Sequence, residues 1–143
     1  VQARFEILNE TYVKKLQIEA RIIGDMCLNH VIPAAVRYQN ILIENIKGMK
    51  DIFGDDYLNY CASEIETLKK ISTYINNVSA DVEGLVEARK KANRIEAIAE
   101  RAKVYSYEVK DMMEKVRMSA DNLEMLIDDE VWPLPKYREL LFF

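Results

Sequence analysis

The chain begins with a helical apolar repeat that is sustained over about fifty residues. From Phe5 to Phe53 an apolar side chain recurs every three or four residues without a miss. This spacing places the apolar side chains along one side of an α-helix. Pro33 lies inside the repeat, lacks a backbone N–H and crowds the carbonyl of Asn29. We therefore predict a first helix over about residues 3–53 that is kinked near Pro33, at Asn29 or His30.

Two more helices follow, and each carries a seven-residue repeat. Gly54 and the two acidic residues after it predict a helix end and a new helix start. The second helix is expected over about residues 56–92. Asn93 and Glu96 have the spacing of a capping box, which predicts a third helix over about residues 94–131. The two columns of each helix predict a supercoiled packing seam. The columns of the second helix are Cys61, Leu68, Ile75 and Val82, and Ile71, Val78, Leu85 and Ala92. Those of the third helix are Ile95, Ala102, Val109, Val116 and Leu123, and Ile98, Tyr105, Met112, Ser119 and Leu126.

Long helices joined by short turns run antiparallel to their neighbours. We therefore predict an all-α fold, an up-down-up bundle of three long helices with coiled-coil-like packing. A chain of 143 residues with 50% hydrophobic and 31% charged residues suits one such domain, spanning residues 1–143. Val1 already lies inside an amphipathic pattern with no capping residue before it, so we expect the chain to be part of a longer protein.

The first helix has a surplus of apolar side chains on the side opposite its main stripe. A three-helix bundle cannot easily bury both sides of one helix, so a further partner is expected over about residues 18–43. That partner is either another part of a larger protein or a second copy of the chain. The candidate interface residues on this helix are Ile18, Ile22, Leu28, Ile32, Val36 and Ile43.

The C-terminal segment, residues 132–143, is apolar and does not follow a helical repeat. Two prolines bracket Leu134 and favour extended backbone, so the third helix should end at Val131. Burying several of these side chains would contribute several kcal/mol, which predicts a docking tail. Its candidate interface residues are Trp132, Leu134, Tyr137, Leu140 and Phe142.

The sequence offers little for catalysis. His30 is the only histidine, which argues against Ser-His-Asp and Cys-His sites, and there is no Glu-x-x-His pair or glycine-rich phosphate loop. The acidic run 128–130 is expected to be solvated or paired with a partner rather than to bind metal. A net charge of −4 argues against nucleic-acid binding, and no apolar run is long enough for a membrane span. We therefore predict no catalytic, cofactor-binding or metal residue, and a cytoplasmic location.

Several segments resemble the C-terminal helical domain of bacterial type III glutamine synthetase, and the likeness extends over nearly the whole chain. They are residues 4–7 (RFEI), 18–21 (IEAR), 29–35 (NHVIPAA), 87–93 (EARKKAN) and 128–138 (DDEVWPLPKYR). The tail is the most specific of them, because helix packing alone would not dictate its order.

The resemblance implies a parent enzyme that joins glutamate and ammonia with ATP, through a γ-glutamyl phosphate, using Mg²⁺ or Mn²⁺. It also implies a ring-like homo-oligomer, a dodecamer of two hexameric rings. No motif in this chain matches the family's metal, phosphate or nucleotide sites, so the chain alone is expected to be inactive. Its partners would be its own catalytic domain and neighbouring subunits. The alternative is a stand-alone helical coiled-coil interaction module, which would not account for the tail.

Overall fold

A computed structural model describes residues 1–132, and this part of the chain is helical and contains no strand. Helix α1 spans Gln2–Met26 and helix α2 spans Ile32–Phe53, with a π-helical turn at Cys27–Val31 between them. A 3₁₀ turn at Gly54–Tyr57 follows α2. Gly54 has a φ of 59°, a conformation that glycine adopts readily, and this allows the chain to reverse there.

Helix α3 spans Leu58–Asn93. Helix α4, Ile98–Val104, and helix α5, Lys110–Glu124, follow it with a second π-helical turn at Tyr105–Val109 between them. The all-α class is therefore confirmed. Within residues 1–132 no helix is long and apolar enough to cross a membrane.

Pro33 is accommodated by a wider turn, and the helix continues across it. The backbone N–H of Ile32 donates to the carbonyl of Cys27, five residues earlier, which is the hydrogen-bond pattern of a π-helix. The predicted kink site at Asn29 and His30 lies inside this turn. The wider turn shifts the bonding pattern just before the proline, whose ring leaves no N–H to continue it.

The predicted start of the third helix is wrong. Helix α4 begins at Ile98, and its N-cap is Ala97, which provides no side-chain cap. Asn93 is instead the last residue of α3, and its Oδ1 accepts hydrogen bonds from Gln17 Nε2 at 2.9 Å and from the hydroxyl of Tyr105. The Asn93 side chain is therefore engaged with two other helical segments and does not form a capping box.

The predicted end of the third helix, at Val131, is also wrong. Helix α5 ends at Glu124, and residues 125–132 form turns in which the N–H groups of Val131 and Trp132 both donate to the carbonyl of Asp128. This change of direction buries Ile127 and Trp132 in the core. The apolar burial gained offsets the loss of the last helical turns.

The long helices run antiparallel. Gln17 bonds to Asn93, Gln39 to Ser72 and Asn45 to Glu64, so residue numbers rise along α1 and α2 as they fall along α3. Likewise, Lys91 of α3 pairs with Glu108 at 3.1 Å and the Ser119 hydroxyl of α5 donates to Asp81 of α3 at 2.6 Å, so residue numbers fall along α3 as they rise toward the end of α5. Buried heptad residues of α3 pack against those of the second π-helical turn and of α5, and we call this contact the α3–α5 seam. It includes Val78, Val82, Leu85, Val109, Val116 and Leu123.

Candidate interface site

The predicted aliphatic surface on the first two helices is largely open to solvent. Five of its six side chains are between 37% and 53% exposed; they are Ile43, Val36, Leu28, Ile18 and Ile22. Ile32 differs, because it is half-buried and packs against the core of the chain itself. The structure therefore leaves most of this surface available to a partner.

The predicted tail residues divide into two groups. Trp132 is only 8% exposed and belongs to the core of the chain itself, so little of its indole remains for a partner. Leu134, Tyr137, Leu140 and Phe142 lie outside the described residues. The docking tail thus stays a prediction, apart from its first residue, which docks onto its own domain.

A groove between α1 and α3 gives the exposed surface its shape. Two adjoining cavities, of about 250 and 320 Å³, share Leu28, Val82 and Val86. Gly24 lies beside α3, and a Cβ at this position would be 3.8 Å from Val82 Cγ1, an ordinary van der Waals contact. We call this feature the α1–α3 groove. Its lining residues are Ala20, Arg21, Gly24, Asp25, Leu28, Asn29, Ser79, Val82, Glu83, Leu85, Val86, Glu87 and Arg89.

The charged residues of the groove come from both helices. Arg21 and Arg89 line one cavity, whereas Glu83 and Glu87 line the other. None of these four forms an ion pair with another residue among 1–132. Asp25 lies in the arginine half, and its carboxylate accepts a hydrogen bond from Asn29 Nδ2. The groove therefore has charged residues of both signs beside the apolar residues that its two cavities share.

A separate cavity of about 290 Å³ lies between α1 and α5, beside Trp132. Cys27 lines it, and burial raises the pKa of its thiol to about 11. A thiol with so high a pKa is protonated near neutral pH and is a poor nucleophile. At the same cavity, burial and the neighbouring charge of Glu124 raise the pKa of Asp121, against the opposing charge of Arg117. Nothing in this cavity resembles an activated catalytic group.

The divalent metal that the resemblance implies has no cluster of ligands among the described residues. Within residues 1–132 no three His, Cys, Asp or Glu side chains lie together in a way that could hold a metal ion. In the acidic run, Asp128 Oδ1 accepts the backbone N–H of Glu130 at 2.9 Å and stabilises a turn. We derive no catalytic step from this part of the chain.

A family model described as "Glutamine synthetase C-terminal domain" matches residues 1–50. The chain is also 46% identical over 140 residues to "Glutamine synthetase" of Bacteroides fragilis (strain YCH46), an alignment that covers 97% of the chain and 19% of that protein. It is 28% identical over 158 residues to "Type-3 glutamine synthetase" of Dictyostelium discoideum, covering 99% of the chain and 20% of that protein. The chain is related to the C-terminal domain of glutamine synthetases.

The resemblance to glutamine synthetases seen in the sequence is thus confirmed. The chain spans about a fifth of the length of the curated relatives it matches. Another of them, "Glutamine synthetase" of Butyrivibrio fibrisolvens, is 30% identical over 142 residues, which cover 99% of the chain and 20% of that protein. The match to the glutamine synthetase C-terminal domain model covers α1 and nearly all of α2, so it includes the whole candidate aliphatic surface.

The groove and its charges were not predicted from the sequence. Leu28 was predicted to lie at an interface, but Val86 and Gly24 were not, because neither belongs to the apolar repeat of its helix. The signal that was present is the pair Glu83 and Glu87, four residues apart on one side of α3. Linking that pair to Arg21 across the groove required the register between the helices.

Proposed function

We propose that this chain is the non-catalytic helical C-terminal domain of a type III glutamine synthetase. It would pack against the catalytic domain or support oligomer assembly. The parent reaction would be the ATP-dependent ligation of glutamate and ammonia to glutamine, with Mg²⁺ or Mn²⁺ held outside this chain. Support comes from relatives named glutamine synthetase that align with 97% to 99% of the chain.

The observation that carries the assembly role is the exposed aliphatic surface of α1 and α2. Ile18 and Ile22 are each more than half exposed, although they lie on a helix whose opposite side is buried in the core. Apolar surface removed from water contributes about 25 cal/mol per Å². A partner that covers this surface would gain that contribution, which favours an interface there.

The proposal extends to the fold, the assembly and the location of the chain. We propose an up-down-up bundle with coiled-coil-like packing over a single domain, residues 1–143, because cross-helix hydrogen bonds join antiparallel helices. We also propose a ring-like dodecamer as the assembly, with residues 133–143 as a docking tail. A cytoplasmic location is consistent with Cys27 and Cys61, which are free, buried thiols.

The first test concerns the parent reaction. In the polypeptide that contains this chain, ADP formation should require both glutamate and ammonia. A well-folded sample without that activity would overturn the ligase assignment and favour a stand-alone helical interaction module.

The second test concerns the aliphatic surface. In the same polypeptide, Ile18→Asp with Ile22→Asp should shift the mass measured by light scattering toward smaller assemblies, since two charges would have to be buried. Ile52→Asp is the matched control, because Ile52 is 75% exposed and lies outside the candidate set. An unchanged mass and unchanged activity in the double variant would count against the interface.

A further inference from the structure

The cavity between α1 and α5 has an apolar lining that is only partly buried. Its volume is about 290 Å³, and Cys27, Val31 and Val116 form its buried part. Ile23 and Met26 of α1 line the same cavity but are only half-buried. Covering such apolar side chains removes them from water and is stabilising. The open side of the cavity therefore favours an apolar occupant.

The wall of this cavity also has an unpaired hydrogen-bond donor. Trp132 lines the cavity and is 8% exposed, and its buried indole Nε1 has no hydrogen-bond partner within residues 1–132. A buried N–H group without an acceptor is destabilising. An acceptor brought to this wall would remove that cost, so the fitting occupant supplies a carbonyl or similar oxygen as well as apolar surface.

The chain itself continues from this wall. Trp132 is the last described residue, and residues 133–143 follow it. Leu134 is two residues farther on, so its backbone is within about 7 Å of the Trp132 backbone in any conformation. Pro133 and Pro135 each fix a φ angle, which lowers the conformational entropy lost when this segment binds. A leucine on a stiff segment is therefore tethered next to the cavity.

The charges of the cavity and of this segment are opposite in sign. Asp121 and Glu124 line the cavity with a single cation, Arg117, so the lining has a net negative charge. Residues 133–138 include Lys136 and Arg138 and no acidic residue. Opposite net charges favour the approach of one surface to the other. Charge complementarity and chain continuity thus indicate the same occupant.

We infer that residues 133–138 fold back over the α1–α5 cavity of their own chain, with Leu134 against its apolar lining and a backbone carbonyl of the segment accepting the Trp132 indole N–H. Covalent linkage gives this segment a high effective concentration at the cavity, an advantage that a separate partner lacks. The inference rests on the docking tail proposed above and deepens it. The first half of the tail binds its own domain, and residues 139–143 are left for another domain or subunit.

The test uses Cys27 as a reporter of access to the cavity in the 143-residue chain. Its alkylation by iodoacetamide is followed by mass spectrometry of the peptide that contains it. Leu134→Asp should speed this alkylation at least about 10-fold, because a leucine buried at the cavity stabilises the covered form. Leu141→Asp is the matched control, since it makes the same change outside the proposed segment. It should leave the rate within about 2-fold of wild type.

Two further measurements separate opening of the cavity from loss of the fold. Cys61 is buried near the start of α3 and does not line the cavity, so its alkylation rate should be the same in wild type and in both variants. Trp132 is the only tryptophan, and acrylamide should quench its fluorescence more strongly in Leu134→Asp than in wild type. If the aspartate also speeds alkylation of Cys61, Leu134→Ala takes its place.

The inference is overturned if Cys27 reacts at the wild-type rate in the Leu134 variant that keeps Cys61 protected. It is also overturned if Leu141→Asp speeds the reaction of Cys27 equally, or if the quenching of Trp132 is unchanged. An occupant from another domain or a second copy would produce the first of these results. None of these measurements involves the glutamate- and ammonia-dependent ADP assay, so the two proposals fail separately.

Discussion

Helix α3 takes part in two contacts of opposite character, the α3–α5 seam and the α1–α3 groove. In the seam, Val78, Val116 and Leu123 have no exposed surface. In the groove, Leu28 is 49% exposed although valines of α3 lie beside it. The difference shows that an apolar side chain next to an apolar helix is not enough to close an interface. The seam closes because both helices supply continuous apolar columns.

Local details reinforce the contrast. In the seam, Gly84 makes room for Met112, whose Cε would lie 2.5 Å from a Cβ at position 84. Ser119, the polar member of its column, is satisfied by Asp81. In the groove, Asn29 donates to Asp25, but the arginines and glutamates form no ion pairs among residues 1–132. The charged groups of these arginines and glutamates are thus left for water or a partner.

The strongest test of this comparison truncates one leucine on each side. Leu123→Ala should lower the free energy of unfolding by about 2–5 kcal/mol, because it removes a fully buried side chain and leaves a cavity. Leu28→Ala should lower it by less than about 0.5 kcal/mol in the monomer, since that side chain is half exposed. Urea unfolding at low protein concentration measures both values.

The low concentration matters because self-association through exposed apolar side chains would add to the measured stability. Equal losses at low concentration would contradict the distinction between a closed seam and an open groove.

The seam was the more predictable of the two regions. Its heptad columns were identified in the sequence, and residues such as Val82, Val109 and Val116 are buried as those columns require. Period and burial are linked by helix geometry, so the sequence contains this information directly. The π-helical turn at Tyr105–Val109 was not predicted, because such a turn inserts one residue into a helix without requiring a particular residue type.

The groove and the helix ends were less predictable because they depend on tertiary contacts. Asn93 and Glu96 have the spacing of a capping box, yet Asn93 bonds to Gln17 and Tyr105 from other segments. The apolar pattern continues past Glu124, yet the chain turns there and buries Trp132. In both places the local signal was present, and a competing long-range contact overrode it.

A smaller effect is expected where the seam and α1 meet, at the hydroxyl of Tyr105. This group donates to Asn93, which also accepts from Gln17, so one amide joins three helical segments. Tyr105→Phe removes a single hydrogen bond and leaves the ring in place, which should cost about 1 kcal/mol in urea unfolding. Gln17→Ala is the comparison variant, because its bond is exposed and its loss should cost less. A larger loss of unfolding free energy for Gln17→Ala than for Tyr105→Phe would contradict this order and show that the Gln17–Asn93 bond contributes more than the Tyr105–Asn93 bond.

The smallest expected effect concerns Asp121 of α5, which lines the cavity between α1 and α5 together with Cys27 and Trp132. Burial and the charge of Glu124 raise the pKa of Asp121 above its ordinary value of 3.8. The folded chain therefore binds this proton more tightly than the unfolded chain does. The stabilisation that comes from binding this proton is fully present below pH 3.8, and it is lost as the pH rises through the raised pKa of Asp121.

Asp121→Asn removes this titration and allows the sign to be measured. The free energy of unfolding of the variant, relative to wild type, should rise between pH 3 and pH 7, because the variant does not acquire the unfavourable charge. The change should be small, since Asp121 is an exposed residue and solvent screens its charge. Urea titrations at several pH values give the difference, and a relative stability that falls with pH would show that Arg117 stabilises the carboxylate more than burial and Glu124 destabilise it.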